Sequence, residues 1–585
     1  MKRLWRYLEG RKTMAALMIL VGAGNAAAQT GGWLLVRNAI DKGIVVRDKH
    51  GAIVGNEHHL TIVVAIYLVV AAAGWLLQAW LIRGLAKIGQ AIVIGLRRDL
   101  FDHLTNLSLR YFSQQKAGWI IARLTSDVDA VSDVLSQGMP TLVSNVILLP
   151  AAVTALLIAD WRLGLVSFAV LPPALILSRW FQRVSHTANV EQRNRIAAVT
   201  AQIAESVAGM AVVQAFNRER RFQAEFDALN DANRAQSTYV QKIFSVFFPS
   251  IEFLGVLAMA AVLYVGSHLY ESDTLTIGTL ITAIYLLQLV FQPLQELSDV
   301  YGQLQSAGAA MVKIASILDE EPEIQDRPGA TRLARLDGDL DIDSVVFAYG
   351  KEPVLHGISF HMQPGACFAL VGESGHGKST LARLIGRHYD PDAGAVRVDG
   401  HDLRDVELRS YRRQLGVVLQ DPFLFSGTIA SNIRFAKPGA TDDEVEAAAA
   451  AVGVDLVAAR LSGGLEHEVR EGGAGLSAGE RQLISIARAL LADPRILVLD
   501  EATSNIDRPT EVLIERALDR LLAGRTSIII AHRLSTVRRA DEILVVENGQ
   551  IIQRGSEREL LAQEGPFRRL AHTLDGGETE LAAAG

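Results

Sequence analysis

Three things are scarce in this chain: cysteine, excess basic charge and low-complexity sequence. The single cysteine, Cys367, leaves no partner for an intrachain disulfide. A small secreted fold stapled by disulfides is therefore excluded. Lysine and arginine total 57 against 64 aspartates and glutamates, a formal net charge of −7. General nucleic-acid binders are basic, so no nucleic acid is expected as a partner. Disorder is excluded by the high apolar content and by the absence of repetitive tracts. Long hydrophobic runs are missing too, but only after residue 300; before it they dominate. The 585 residues are 50% hydrophobic yet 21% charged, too charged to lie wholly in lipid. The chain therefore divides into a membrane part and a water-exposed part.

The apolar runs give six spans: Thr13–Val36, Leu60–Ile82, Met139–Ala159, Leu163–Trp180, Phe244–Tyr270 and Leu275–Phe291. About 20 apolar residues cross a bilayer core as a helix, and the fourth and sixth runs are the shortest. Pro172-Pro173 predicts a kink in the fourth. The competing reading, buried helices of a large soluble core, does not suit six such runs. The first run is too long for a cleaved signal peptide and precedes no small-residue cleavage site. Lys2, Arg3, Arg6, Arg11 and Lys12 precede it against one acid, Glu9, which places the N-terminus in the cytoplasm. Six spans then put the long segments 83–138 and 181–243 in the cytoplasm, together with everything after the sixth. Each segment reads as two helical legs of about 25 residues, reaching roughly 40 Å below the bilayer at 1.5 Å per residue. Breaks near Gln115–Gly118 and Val207–Gly209 predict either short transverse helices or simple solvated turns.

Past Leu318 the composition shifts to a polar, proline-bearing linker. Strands are predicted at Leu340–Tyr349 and Ile358–Met362. The apolar run Ala366–Val371 then opens directly into Gly372-Glu373-Ser374-Gly375-His376-Gly377-Lys378-Ser379-Thr380, with a helix predicted at Leu381–Arg387. A strand, a G-x-x-x-x-G-K-[ST] loop and a helix form a phosphate cradle. Its glycines let backbone N–H groups wrap phosphate oxygens, and the helix N-terminus adds partial positive charge. Lys378 reaches the β- and γ-phosphates, and Ser379 offers a hydroxyl to Mg²⁺. His376 inside the loop reads as a tolerated outward side chain. A second buried strand, Arg495–Leu499, ends in Asp500 and Glu501. Asp500 suits Mg²⁺ through water, and Glu501 suits polarisation of the attacking water. A third, Thr526–Ala531, ends at His532, at the edge where parallel sheets place their ligands.

Between the first two of these strands lies Gly475-Leu476-Ser477-Ala478-Gly479-Glu480-Arg481-Gln482, which resembles the signature of ATP-binding cassette (ABC) ATPases. With the P-loop, Asp500-Glu501 and His532 in the same order, the likeness runs through residues 338–570. The six spans and two long segments ahead of it resemble the membrane domain of exporter-type ABC half-transporters, so nearly the whole chain is covered. The resemblance implies a multidomain fold: a six-helix transmembrane domain with long cytoplasmic helical extensions, then an α/β P-loop nucleotide-binding domain with a helical subdomain. The expected division is 1–318 transmembrane, 319–337 linker, 338–575 nucleotide-binding and 576–585 tail. It further implies roles by position. Tyr349 would stack on adenine, and Gln420 would contact Mg²⁺ and water. Ser477 and Gly479 would hold γ-phosphate in trans, and Ser504–Asp507 would cross a dimer interface. Glu468–Gly473 would meet the cytoplasmic helices, and the breaks near 115–118 and 207–209 would belong to coupling helices. Glu501, His532 and Gln420 would act in catalysis, with ATP and Mg²⁺ as cofactors.

The family's signature reads Leu-Ser-Gly-Gly-Gln; here Ala478 and Glu480 depart from it. The change is either neutral or the mark of a weakened site. Heterodimeric exporters often pair a deviant signature on one chain with a deviant catalytic acid on the other, and this chain keeps Glu501. It therefore resembles the acid-bearing half, with a second half-transporter chain as partner. Within the spans the polar residues are few: Asn25, Gln29, Gln78, Asn145, Glu252 and Gln288. Of these, Asn25, Glu252 and Gln288 are candidate substrate contacts. Glu252 would touch cationic cargo, pair with the partner chain, stay protonated at a helix contact, or sit solvated at the interface near Pro249; the sequence leaves all four open. The apolar lining suits amphipathic or lipid-like cargo. The expectation is an ATP-driven exporter subunit in a cell membrane, the bacterial inner membrane, with its nucleotide-binding domain in the cytoplasm. An importer of the same architecture and a membrane-anchored ATP-binding regulator are the alternatives.

Overall fold

The computed structural model describes residues 4–7, 10–45, 55–272, 274–500, 506–531 and 533–571. The chain forms two compact units. One comprises Met1–Thr105 and Ala117–Glu320, the other Asn106–Lys116 and Glu321–Gly585.

The described residues of the first unit form helices and the short turns between them. Lipid offers no partner to backbone N–H and C=O groups, and a helix satisfies them internally. Among the described residues, five helical stretches are long and apolar enough to span: Lys12–Ile44, Glu57–Asn106, Ala117–Ala159, Trp161–Ala208 and Glu219–Glu271. In the sixth helix, Ile277–Leu318, the apolar part is only Ile277–Phe291, short of the usual crossing length. The fourth stretch departs from the expected kink. A helix ends at Phe168 and a new one starts at Leu171, so Pro172 and Pro173 occupy its first turn, where no intrahelical N–H is needed. The tight connection before it is set by Asp160, whose carboxylate accepts from the backbone N–H of Arg162 at 2.8 Å and Leu163 at 3.2 Å. Thr276 caps the sixth helix, and the Asp41 carboxylate accepts from Gly278 N–H at 2.8 Å. Helices at 1.5 Å per residue run far beyond the bilayer: Glu57–Asn106 has 50 residues and Glu219–Glu271 has 53. The second of these packs on Leu171–Ala208 through Phe181, stacked on Phe247 with centroids 3.9 Å apart. The cytoplasmic legs break at Gln115-Lys116 and at Gly209, each next to a short helix, Leu109–Gln114 and Met210–Ala215.

The second unit is α/β. Its strands are β1 Leu340–Ala348, β2 Pro353–Met362, β3 Cys367–Val371, β4 Ala393–Val398, β5 His401–Asp402, β6 Leu415–Val418, β7 Gly427–Thr428, β8 Glu468–Val469, β9 Ile496–Asp500, β10 Thr526–Ile530, β11 Glu542–Glu547 and β12 Gln550–Gly555. An antiparallel sheet has the order β2-β1-β4-β5, and the main sheet β12-β11-β3-β10-β9-β6. In the main sheet every pair is parallel except β11 with β12. β3 and β10 are buried at every position, as near-continuous apolar strands covered on both faces must be. The lone Cys367 lies in this interior. Burial pushes its thiol up to about 12, so it is packing material rather than a nucleophile. Asn106–Lys116 belongs to this unit. Its Arg110 pairs with Glu323 at 3.0 Å and lies over the rings of Phe347 and Tyr389, 5.9 and 5.5 Å from their centroids.

Candidate nucleotide site

Four parallel strands, β3, β10, β9 and β6, end on one side of the main sheet, the side where such sheets bind ligands. Ile530 of β10 lies opposite Leu370 of β3 and Asp500 of β9, and Val418 of β6 opposite Leu499. The loops that follow therefore start at nearly one level.

Beyond β3 the chain turns through Gly372–Gly377. A Cβ at Gly372 (φ +154°) would stand 2.2 Å from the carbonyl oxygen of Val546, and one at Gly377 (φ +99°) 2.6 Å from Leu355 Cδ2. Only glycine fits either position. The loop ends in the helix Lys378–Ile385, which starts three residues earlier than the sequence suggests. Lys378 thus opens the first turn. Its side chain folds back over the loop, Nζ donating to the carbonyls of Gly372 at 2.6 Å and Glu373 at 2.7 Å. Burial pushes the ammonium below its ordinary range, while the Asp500 and Glu373 carboxylates act in the other direction. A buried ammonium above a glycine loop, beside a helix N-terminus, is a phosphate-binding arrangement. Ser379 Oγ donates to Asp500 Oδ2 at 3.5 Å, so hydroxyl and carboxylate share one edge of the loop. That donor set fits a hard divalent cation.

Tyr349 is anchored at its hydroxyl, which donates to Thr380 Oγ1 at 3.2 Å and accepts from Arg383 Nη1 at 3.1 Å. Its ring meets Phe347 and Tyr389 edge-on, with centroids 5.0 and 5.3 Å away. The aromatic expected at adenine is thereby tied to the P-loop helix. Gln420 is exposed in the loop after β6. Ser374 and Gly375 stand in the P-loop. Glu501, Ser504 and His532 lie outside the described residues.

Ser477 is the N-cap of the helix Ala478–Ala492. Its Oγ accepts from Glu480 N–H at 3.2 Å, and Glu480 Oε2 accepts from Ser477 N–H at 2.8 Å. This reciprocal pair is a capping box. The Glu480 carboxylate also faces Arg460 at 3.4 Å, so the charge that departs from the family pattern is paired. Ala478 is exposed in the first turn, where helical φ suits alanine. Gly479 is buried, and a Cβ there would stand 2.4 Å from Thr510 Cγ2. Asp507 caps the helix Arg508–Leu522, accepting from Thr510 Oγ1 at 3.0 Å and Thr510 N–H at 3.2 Å. These bonds hold its carboxyl below the ordinary range.

The substrate candidates of the membrane unit differ in burial. Asn25 is buried and bonds to Gln78, whereas Glu252 and Gln288 are exposed. Sequence reasoning missed Arg383, which grips Tyr349, and Arg110, whose packing no motif announces. It missed Glu296 too, which accepts from Asn145 Nδ2 at 2.9 Å. The signal for Glu296 was present: an acid five residues past the end of the sixth apolar run.

A helical membrane unit joined to an α/β unit with a P-loop and a signature helix defines a nucleotide-driven membrane transporter. Residues 15–294 match the ABC transporter transmembrane region and residues 355–504 the ABC transporter family. The ABC transporter ATP-binding protein YknV of Bacillus subtilis is 38% identical over 84% of this chain and 81% of its own length. An ATP-dependent lipid A-core flippase of Syntrophus aciditrophicus is 35% identical over 89% and 86%. A bacterial Atm1-family ABC exporter solved with ATP bound superposes with a TM-score of 0.79 at 28% identity, covering 96% of this chain and 98% of that one. The chain belongs to the ABC transporter family, in the exporter form that fuses a membrane domain to an ATPase. It binds ATP, and ATP hydrolysis in its cytoplasmic unit drives transport across a bacterial inner membrane.

Proposed function

We propose that this chain is one half of a dimeric exporter of amphipathic, lipid-like molecules. The observation that carries the nucleotide part is the buried Lys378 ammonium, held on the Gly372 and Glu373 carbonyls beside the Ser379–Asp500 pair. Triphosphate oxygens would exchange with those carbonyls as partners of Nζ, and the P-loop N–H groups would take the rest. Ser379, Asp500 and Gln420 would hold Mg²⁺, which neutralises charge on the β- and γ-phosphates. Glu501 would polarise the attacking water, and His532 would steady the γ-phosphate. Tyr349 would flank adenine, and Asp507 would lie toward the partner across the dimer interface. The cargo class is supported by the apolar spans and by the similarity to a lipid flippase.

The partner is a different chain. An intact Asp500-Glu501 combined with Ser477-Ala478-Gly479-Glu480 supports a pair in which this chain's catalytic residues meet the partner's signature at the hydrolytic site. Its own signature then faces a site without a catalytic acid. Co-purification from native membranes tests this: a second half-transporter sequence in equal amount is expected. A homodimer of this chain with robust ATPase and transport would refute the pairing, and 476–480 would then be a tolerated spelling of the signature.

A further inference from the structure

The helices Lys12–Ala39 and Glu57–Asn106 do not close against each other along their whole length. Between them lies a cavity of about 360 Å³, at the small end of ligand pockets. Its polar lining is three amides, Asn25, Gln29 and Gln78, and its aromatic lining is Trp33, Tyr67 and Trp75. Among the described residues, no charged side chain lines it. Counting 1.5 Å per residue from the lysine- and arginine-flanked end at Lys12, Asn25 to Trp33 stand about 20 to 30 Å in, in the middle and outer half of the bilayer.

The amides are poised rather than mutually satisfied. Asn25 is only 4% exposed. Its Nδ2 donates to Gln78 Oε1 at 2.6 Å, while its Oδ1 is buried with no hydrogen-bond partner among the described residues. An acceptor left unmade in a membrane interior costs stability, and Asn25 is itself a lining residue of the cavity. Gln78 accepts from Asn25 through its oxygen and itself lines the cavity. Trp33 is fixed on one face by Tyr285, stacked at 4.0 Å with planes 9° apart. Aromatic rings with polar edges suit a ligand that is apolar on one side and hydrogen-bonding on the other.

We propose that this cavity binds the uncharged, hydroxyl-bearing head of an amphipathic molecule whose tail stays in the bilayer. Three neutral amides supply both donors and acceptors. A phosphate, carboxylate or ammonium head would lose its hydration here without gaining a counter-charge. The cavity holds a head about the size of one sugar, not a whole lipid. The inference deepens the cargo class proposed above and rests on it.

The test uses the full-length transporter, with its native partner, in nanodiscs of neutral phospholipid. An octyl glucoside carrying a photoreactive diazirine is cross-linked, and labelled peptides are mapped by mass spectrometry. Labels are expected on the peptides holding Trp33 and Tyr67–Trp75. Unlabelled octyl glucoside should reduce them at least fivefold, and octyl sulfate or octyltrimethylammonium at equal concentration less than twofold. This series needs no variant. Gln78→Leu and Gln29→Leu should each lower labelling at least fivefold, and Gln78→Asn by less. Equal competition by the charged amphiphiles, or undiminished labelling in both leucine variants, overturns the site. ATP-driven lipid movement is scored separately in proteoliposomes. Its absence beside head-selective labelling overturns the cargo class and leaves the site supported; its presence beside unselective labelling overturns the site alone.

Discussion

The two units of this protein encode their chemistry in opposite ways. In the nucleotide unit, function sits on a few residues at fixed spacing, because phosphate geometry dictates glycine, lysine and a hydroxyl at set positions. Replacing Gly372 would drive a Cβ to 2.2 Å from a backbone carbonyl, so the motif has almost no freedom. In the membrane unit the demand is only that helices be apolar and long, which many sequences meet. Its distinctive residues are isolated amides and acids whose partners lie far off in sequence, such as Asn25 with Gln78 and Asn145 with Glu296. A motif reports a reaction shared by a family; a scattered amide pair carries no such common pattern.

That contrast predicts steep losses in the nucleotide unit. Lys378→Ala should lower ATPase of the reconstituted complex by a factor on the order of 100 or more, the scale of losing a charged donor at a phosphoryl transition state. Unchanged turnover would remove the P-loop assignment. Glu501→Gln should retain ATP binding, stop turnover by about 100-fold or more and trap the closed dimer, since an amide keeps the shape but not the basicity. Hydrolysis near the unmodified rate would mean that Glu501 is not the group that activates water.

Smaller effects test the packing beneath the motifs. Gly479→Ala pushes a methyl into Thr510 and should cost roughly 1–3 kcal/mol of stability, seen as a lower thermal midpoint of the purified complex. A neutral result would show that the signature helix yields more easily than its contacts imply. His388 supplies the pH test. Burial, helped by Arg412 and Arg383, lowers its pKa from 6.5 to about 4. The folded chain then binds fewer protons than the unfolded one between those values. Stability from this group is complete above pH 6.5 and is lost as pH falls toward 4, by about 2 kcal/mol at pH 5 and about 3 kcal/mol at pH 4. His388→Gln should flatten that slope in denaturant melts at pH 7 and pH 5.

Much of the nucleotide site is legible in the sequence because strand, loop and helix follow each other within 20 residues. What is not legible depends on contacts between distant segments. Nothing in the local sequence says that Asn106–Lys116 folds with the second unit, or that Arg110 lies against Phe347 and Tyr389. The dipeptide Pro172-Pro173 predicts a kink from local rules. The helix instead stops at Phe168 and restarts at Leu171, which puts both prolines in a first turn. The sixth span is ambiguous in sequence and stays short in structure, since its apolar part ends at Phe291.

In the proposed mechanism, ATP bound at Lys378 powers movement of an amphipathic molecule through the helical unit. The most direct measurement reconstitutes the complex in proteoliposomes with a fluorescent lipid in one leaflet and follows its movement after Mg-ATP is added. Movement is expected to require ATP and to stop in Lys378→Ala and Glu501→Gln. Movement at the same rate without ATP, or in the Lys378→Ala protein, would contradict it.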